Sequence, residues 1–289
     1  LTLTTEQKTL LDDTYKNFVR GGALLPDDKK DELRKINEAM STLGPVYANN
    51  VKKSAEAFEL WIDNEADLAG LPETARESAK HEATEKGQPD KWLITLDFPS
   101  FGPFMSYSAK RELREKVWKA FGNRAYGDAF DNSELVLKIV KLRDQRAKLL
   151  GYANHADYTL ERRMAEKIGT VRTFLNNLKE QYRAGALSDL NSIKTFAKDE
   201  GLDDLMPWDV GYYSEKLREK LYHFNDEDLR PYFPLQQVLD GTFEHFSKLF
   251  GLKFTPAPDL PTWHKDVTAY DVTDKDSGAF VGTLYADFY

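Results

Sequence analysis

Apolar positions recur at steps of three and four along most of the chain, the repeat of a helix that buries one face. Thr4 to Gln7 read as a capping box, after which Leu11, Tyr15, Phe18 and Val19 share one side of a first helix that Gly21 and Gly22 stop. Beyond Pro26 and Asp27, the positions Leu33, Ile36, Met40, Leu43, Tyr47, Val51 and Phe58 stay on a single face, which predicts one long helix kinked at Pro45. A shorter helix is predicted over 72–86, ended by Gly87 and Pro89. Ser108 is placed to cap a helix carrying Leu113, Val117, Trp118 and Phe121, and Asn132 or Ser133 opens another that ends at Gly151. The longest periodic segment opens at Thr170 and runs through Val171, Leu175, Leu178, Tyr182, Leu190, Ile193 and Phe196. Two further helices are predicted, one from Pro207 and one over 234–250.

Strand signals are few. Residues 91–97 form a short β-prone run, broken by Pro99, Gly102 and Pro103, and are the only strand candidate before the far end. There, 264–272 and 279–289 alternate around Asp274 to Gly278, a hairpin signature. No repeat period and no low-complexity linker interrupts the series. The expected fold class is mainly α: an irregular multi-helix array with a short strand near 91–97 and a terminal β-hairpin over 264–289. A helical region is drawn over 1–260 and a hairpin region over 261–289.

Composition narrows the partners more than the chemistry. With 289 residues, 41% of them hydrophobic and 12% aromatic, the chain has material for a large core. A net charge of -8 sets the average surface against a polyanion, so no nucleic-acid partner is expected. There is no cysteine, which excludes disulfides, thiolate zinc clusters and a cysteine nucleophile. A soluble, cytoplasmic protein is expected and a periplasmic one stays open. No apolar run approaches the roughly 20 residues of a membrane helix, so no membrane partner is expected. The first residue is Leu1 and the last twelve read as a strand with no turn or polar tail, so the polypeptide is expected to continue past Tyr289; an ordered terminal strand is the alternative.

Candidate chemistry is sparse. Helical H-E-x-x-H aims two imidazoles at one zinc ion while its glutamate activates water. The nearest string, His81-Glu-Ala-Thr-Glu85, has a carboxylate where the second imidazole belongs and lies in a strongly charged stretch, so it reads as a solvated helix face. His155, His223, His245 and His264 are scattered, and no nucleophile elbow, phosphate loop or dinucleotide fingerprint occurs. With 48 acidic residues, carboxylate pairs arise by chance on most helix faces and select no glycosidase site. The aromatic groups at 98–104 and 208–213 could line a cleft but sit at packing spacing. No catalytic residue, metal ligand or cofactor is therefore assigned to this chain. An edge strand of the terminal hairpin offers another way to hold a peptide, through main-chain hydrogen bonds.

Several strings nevertheless resemble, in content and order, the thimet oligopeptidase and peptidyl-dipeptidase family of zinc metallopeptidases, and most of all its bacterial peptidyl-dipeptidase branch. They are Phe18-Val-Arg-Gly-Gly-Ala23, Asp67-Leu-Ala-Gly-Leu-Pro72, Pro103-Phe-Met-Ser-Tyr-Ser108 with Arg111-Glu-Leu-Arg-Glu115, Leu149-Leu-Gly-Tyr152 with His155-Ala-Asp-Tyr158, Pro207-Trp-Asp209 with Tyr212 and Tyr213, Leu229-Arg-Pro-Tyr-Phe-Pro234, Trp263-His-Lys-Asp-Val267 and Leu284-Tyr-Ala-Asp-Phe-Tyr289. The resemblance implies a zincin-like fold of two mostly helical halves flanking a channel that admits short, unfolded peptides. Its zinc helix and transition-state residues all lie beyond the segment matching 284–289, so none is carried over. What remains resembles the helical channel wall and the first strands of the active-site sheet of an enzyme that removes dipeptides from carboxyl termini. Zinc and the carboxyl-terminal catalytic half would belong to the longer parent, and this chain alone is expected to be inactive. By the same resemblance, Tyr285, Asp287 and Tyr289 are the substrate-side candidates. The competing expectation is a stand-alone, non-enzymatic peptide-binding or scaffold protein.

Overall fold

Thr4 begins the first helix as its sequence predicts. Its hydroxyl accepts from the Gln7 N–H, the Gln7 side chain accepts from the Thr4 N–H at 3.0 Å, and α1 (Thr5–Arg20) follows. The computed structural model describes residues 2–288. By its internal contacts the chain divides into two units, 1–221 and 222–289, each built around its own packing.

In the first unit, α2 (Asp27–Glu56) runs through Pro45 and buries Leu33, Ile36 and Leu43. Next come β1 (Leu60–Ile62), α3 (Glu73–Glu85), β2 (Trp92–Ile94), α4 (Phe98–Tyr107) and α5 (Arg111–Gly122). Then follow α6 (Ser133–Leu149), α7 (His155–Leu160), α8 (Ile168–Asp199) and α9 (Pro207–Tyr222). Several elements depart from the sequence expectation: α7 is a helix where none was expected, and Ser108 ends α4 instead of capping α5, which starts after Lys110 with no side-chain cap. β2 is not alone: β1 pairs with it antiparallel, Trp61 opposite Leu93, and three residues are too few for a period-two pattern to register. Residues 98–107 are helical despite two prolines. Pro99 occupies the first turn, where its missing N–H would have had no helical acceptor. Pro103 gives up one bond while its neighbours Phe104 and Met105 are buried, so packing overrides propensity.

The core of this unit gathers Leu60, Ile62, Leu68, Ile94, Phe104, Val117 and Trp208, with Phe101 stacked on Phe121 at 4.1 Å. Of the two aromatic groups weighed as cleft material, only Phe98 projects into solvent, at 78% exposure. Beside the core lies a buried ionic knot. Asp209 takes Arg114 Nη2 at 2.8 Å and both Nε and Nη2 of Arg111, and its Oδ2 also accepts the Met206 N–H. Arg114 donates further to the Ser108 and Trp208 carbonyls and lies over the Tyr212 ring. The knot ties α5 to the first turn of α9. A second clasp holds α1, where Arg20 pairs with Glu161 and donates to the Tyr158 carbonyl at 2.7 Å, and Arg162 reaches Asp13 at 2.6 Å.

The second unit contains a 3-10 turn (Asp226–Tyr232), α10 (Leu235–Phe250), β3 (Leu252–Pro256), β4 (Thr268–Asp274) and β5 (Phe280–Ala286). The terminal sheet has three antiparallel strands in the order β3-β4-β5, so the expected hairpin gains a partner upstream. Five residues closed by Pro256 carry too short an alternation to separate β3 from a loop. The hairpin's first strand begins at Thr268, not 264, and 264–267 is loop. Phe243 of α10 stacks on Phe254 at 4.4 Å and meets Tyr270 edge-on, covering one face of the sheet.

Candidate functional site at the edge of the terminal sheet

Register decides which side chains of the terminal sheet share a face. Tyr270 and Val272, which lie opposite Leu284 and Gly282, belong to the face under α10, whereas Ala269 and Asp271 lie opposite Tyr285 and Thr283 on the other. A bulge between Val272 and Thr273 leaves Val281 as the extra residue in β5. The hairpin is closed by Asp274, whose carboxylate accepts from the Asp276 and Ser277 N–H groups and, at 2.6 Å, from the Ser277 hydroxyl. Those bonds, the Ser277 hydroxyl first, hold the Asp274 carboxyl below the usual carboxylate range. Gly278 then takes φ +71°, a conformation costly for any residue with a Cβ.

Among the described residues β5 pairs only with β4, so its outer N–H and C=O groups form an open edge. Tyr285 stands on the face away from α10, and Asp287 lies just past the last residue of β5. Trp263, from the loop before β4, closes the arrangement. Its ring lies 5.5 Å from that of Tyr285, and its indole N–H donates to Asp287 Oδ2 at 3.0 Å. Two of the three candidate residues are thus brought together on an aromatic shelf at the end of β5. Tyr289 lies outside the described residues. Trp263 is the member that residue reasoning missed. Its string was recognised, but nothing in a loop sequence shows that an indole N–H will meet a carboxylate 24 positions on.

The shelf can align an extended peptide by main-chain bonding and present a carboxylate acceptor and two rings to it, but it holds no acid-base pair. Elsewhere the histidines give no centre. His81, Glu82 and Glu85 are exposed on α3. His155 is half-buried, and burial, with Arg143 and Arg146 nearby, pushes its imidazole down. Among the described residues no three His, Asp or Glu converge where a metal ion could sit, so no step through zinc follows from these side chains. No described helix is long and apolar enough to cross a membrane.

The chain is 36% identical to Oligopeptidase A of Escherichia coli over its whole length, covering 43% of that protein. It is 30% identical to Dipeptidyl carboxypeptidase of the same organism, with the same two coverages. To Saccharolysin of Saccharomyces cerevisiae it is 26% identical over 96% of the chain and 40% of the relative. The chain therefore spans less than half the length of these relatives. The model of peptidase family M3 matches residues 104–289, well over half of the chain and all of the terminal sheet, and the chain belongs to that family.

Proposed function

We propose that this chain supplies the channel wall and the first strands of the active-site sheet of a zinc-dependent peptidase that hydrolyses short, unfolded peptides. The open edge of β5, inside the region the family model matches, carries the reading. An extended peptide laid along that edge continues the sheet, with alternate side chains directed to its two faces. Tyr285 and Asp287 border such a peptide, Tyr289 stays a candidate by the family resemblance alone, and Trp263 holds the shelf in place. Zinc and the groups that act on the scissile bond come from polypeptide beyond this chain, which alone is inactive. The 36% identity to a protein named Oligopeptidase A supports cleavage of oligopeptides. The 30% identity to one named Dipeptidyl carboxypeptidase supports the narrower release of carboxyl-terminal dipeptides.

The test is a quenched fluorogenic peptide series offered to the purified 289-residue chain and to the longer polypeptide its reading frame encodes. Chelator-sensitive cleavage is expected from the longer polypeptide only. Chelator-sensitive cleavage by the 289-residue chain overturns the claim of inactivity. A frame that stops at Tyr289, with peptide binding and no hydrolysis, replaces the enzyme by the binding-module reading. Product masses separate dipeptide release from internal cuts.

A further inference from the structure

The middle of α8 has little packing beneath it. The helix spans 32 residues, about 48 Å at 1.5 Å per residue, yet its only buried residues are Phe196 and Ala197 near the end. It is held at its two ends. Ile168 and Val171 share a cleft with His155, Thr159 and Leu160 of α7, and Phe196 meets Tyr213 of α9 edge-on at 6.3 Å. Between these anchors Phe174, Leu175 and Tyr182 are 60%, 56% and 67% exposed.

Those side chains are not scattered. At 3.6 residues per turn, Val171, Phe174, Leu175, Leu178 and Tyr182 fall within about 100° of the circumference, while Thr173, Asn176, Asn177 and Glu180 lie across from them. The same face continues into Gly185 and Ala186, small enough to let another backbone approach. An apolar stripe without a charge along 171–178 except Arg172 at its margin has the make-up of a permanent interface, not of a wet, transient one.

We propose that this stripe is the seat of polypeptide from the same chain beyond residue 289, packed against α8 as a helix or helices. The inference rests on the reading that the chain is part of a longer peptidase. Length points to the occupant. Oligopeptidase A matches this chain from end to end with only 43% of its own residues, so most of such a protein lies outside the match and must pack somewhere. A segment on the same polypeptide also meets the stripe at a far higher effective concentration than a second copy or a foreign partner.

The sequence has no cysteine, so a single introduced thiol reports directly on cover. Tyr182→Cys on the stripe, and Glu180→Cys across the helix, are made in both the 289-residue chain and the longer polypeptide. Maleimide labelling at each site is followed by mass mapping. Tyr182→Cys is expected to label at least tenfold more slowly in the longer polypeptide, and Glu180→Cys at the same rate in both. Phe174→Cys serves as a second reporter should the Tyr182 variant lose its helical circular dichroism. Equal labelling of the stripe thiol in the two forms overturns the proposal, as does a reading frame that stops at Tyr289. Slow labelling in the 289-residue chain that quickens on dilution assigns the stripe to a second copy and overturns it too. A longer polypeptide that protects position 182 but cleaves no peptide removes the functional reading and leaves the packing inference in place.

Discussion

Asp209 is the residue on which the first unit's electrostatics turn. Burial alone would push its carboxyl up, but hydrogen bonds from Arg111, the Met206 N–H and Arg114 more than offset it and hold it below the usual carboxylate range. A group depressed on folding contributes stability that is present above its unfolded value, about pH 3.9, and is lost as pH falls through the folded one. Asp209→Asn leaves Arg114 buried without its counter-charge and is expected to cost about 3–5 kcal/mol in urea unfolding at neutral pH. Below about pH 4 the gap between the two proteins should narrow. At the candidate site, Trp263→Phe keeps a ring beside Tyr285 and removes the donor to Asp287. A loss of about 1 kcal/mol there corresponds to roughly fivefold faster amide exchange over 284–288. Neither network was legible in the sequence. Asp209 and Trp263 stand in recognisable strings, but Arg111 and Arg114 lie almost a hundred positions from Asp209, and hydrophobic periodicity carries no information about which charges a fold will bury together.

Helices of three or more turns were legible because their apolar stripe is repeated; in α1 a cap and a stop agree with it, whereas α2, α6 and α8 begin without a side-chain cap and α8 opens at Ile168, two residues before Thr170. Short elements were not. β1 and β3 are three and five residues long, and α4 forms against its own local preferences because its far half is buried. The connection after the 3-10 turn Glu65–Leu68 shows how little slack such packing leaves. Gly70 sits at φ +88°, and a Cβ there would meet the Tyr107 carbonyl oxygen at 2.2 Å, a backbone atom that cannot swing aside. Gly70→Ala should therefore lower stability by about 2 kcal/mol or more, read as a fall in thermal midpoint. A midpoint unchanged within a degree would mean that this connection is free to shift.

At the scale of the whole molecule, mainly helical architecture and family membership were both readable in the sequence, the first from period and the second from ordered strings. The location of exposed apolar surface was not, since a stripe looks the same whether its own unit covers it or not. α1 shows this as α8 does: none of its residues is buried, and Leu11, Tyr15 and Phe18 are all exposed. The native 289-residue chain should accordingly bind a naphthalenesulfonate dye. The longer polypeptide should bind markedly less per mole, and equal fluorescence from the two would show that these faces stay open.

The two rims of the terminal sheet differ, and that difference governs how the isolated chain would self-associate. β3 presents exposed Lys253 and ends in Pro256, which has no N–H to offer, so one rim is blunted against strand addition. β5 has neither a charged residue nor a proline, its first two residues Phe280 and Val281 are exposed, and its one irregularity is the bulge at Val281, at the hairpin end. Two copies meeting by their unguarded rims would consume both in a two-fold pairing and leave only blunted ones outward. Growth into fibrils would then find only blunted rims to continue from, and association through this sheet would stop at the dimer.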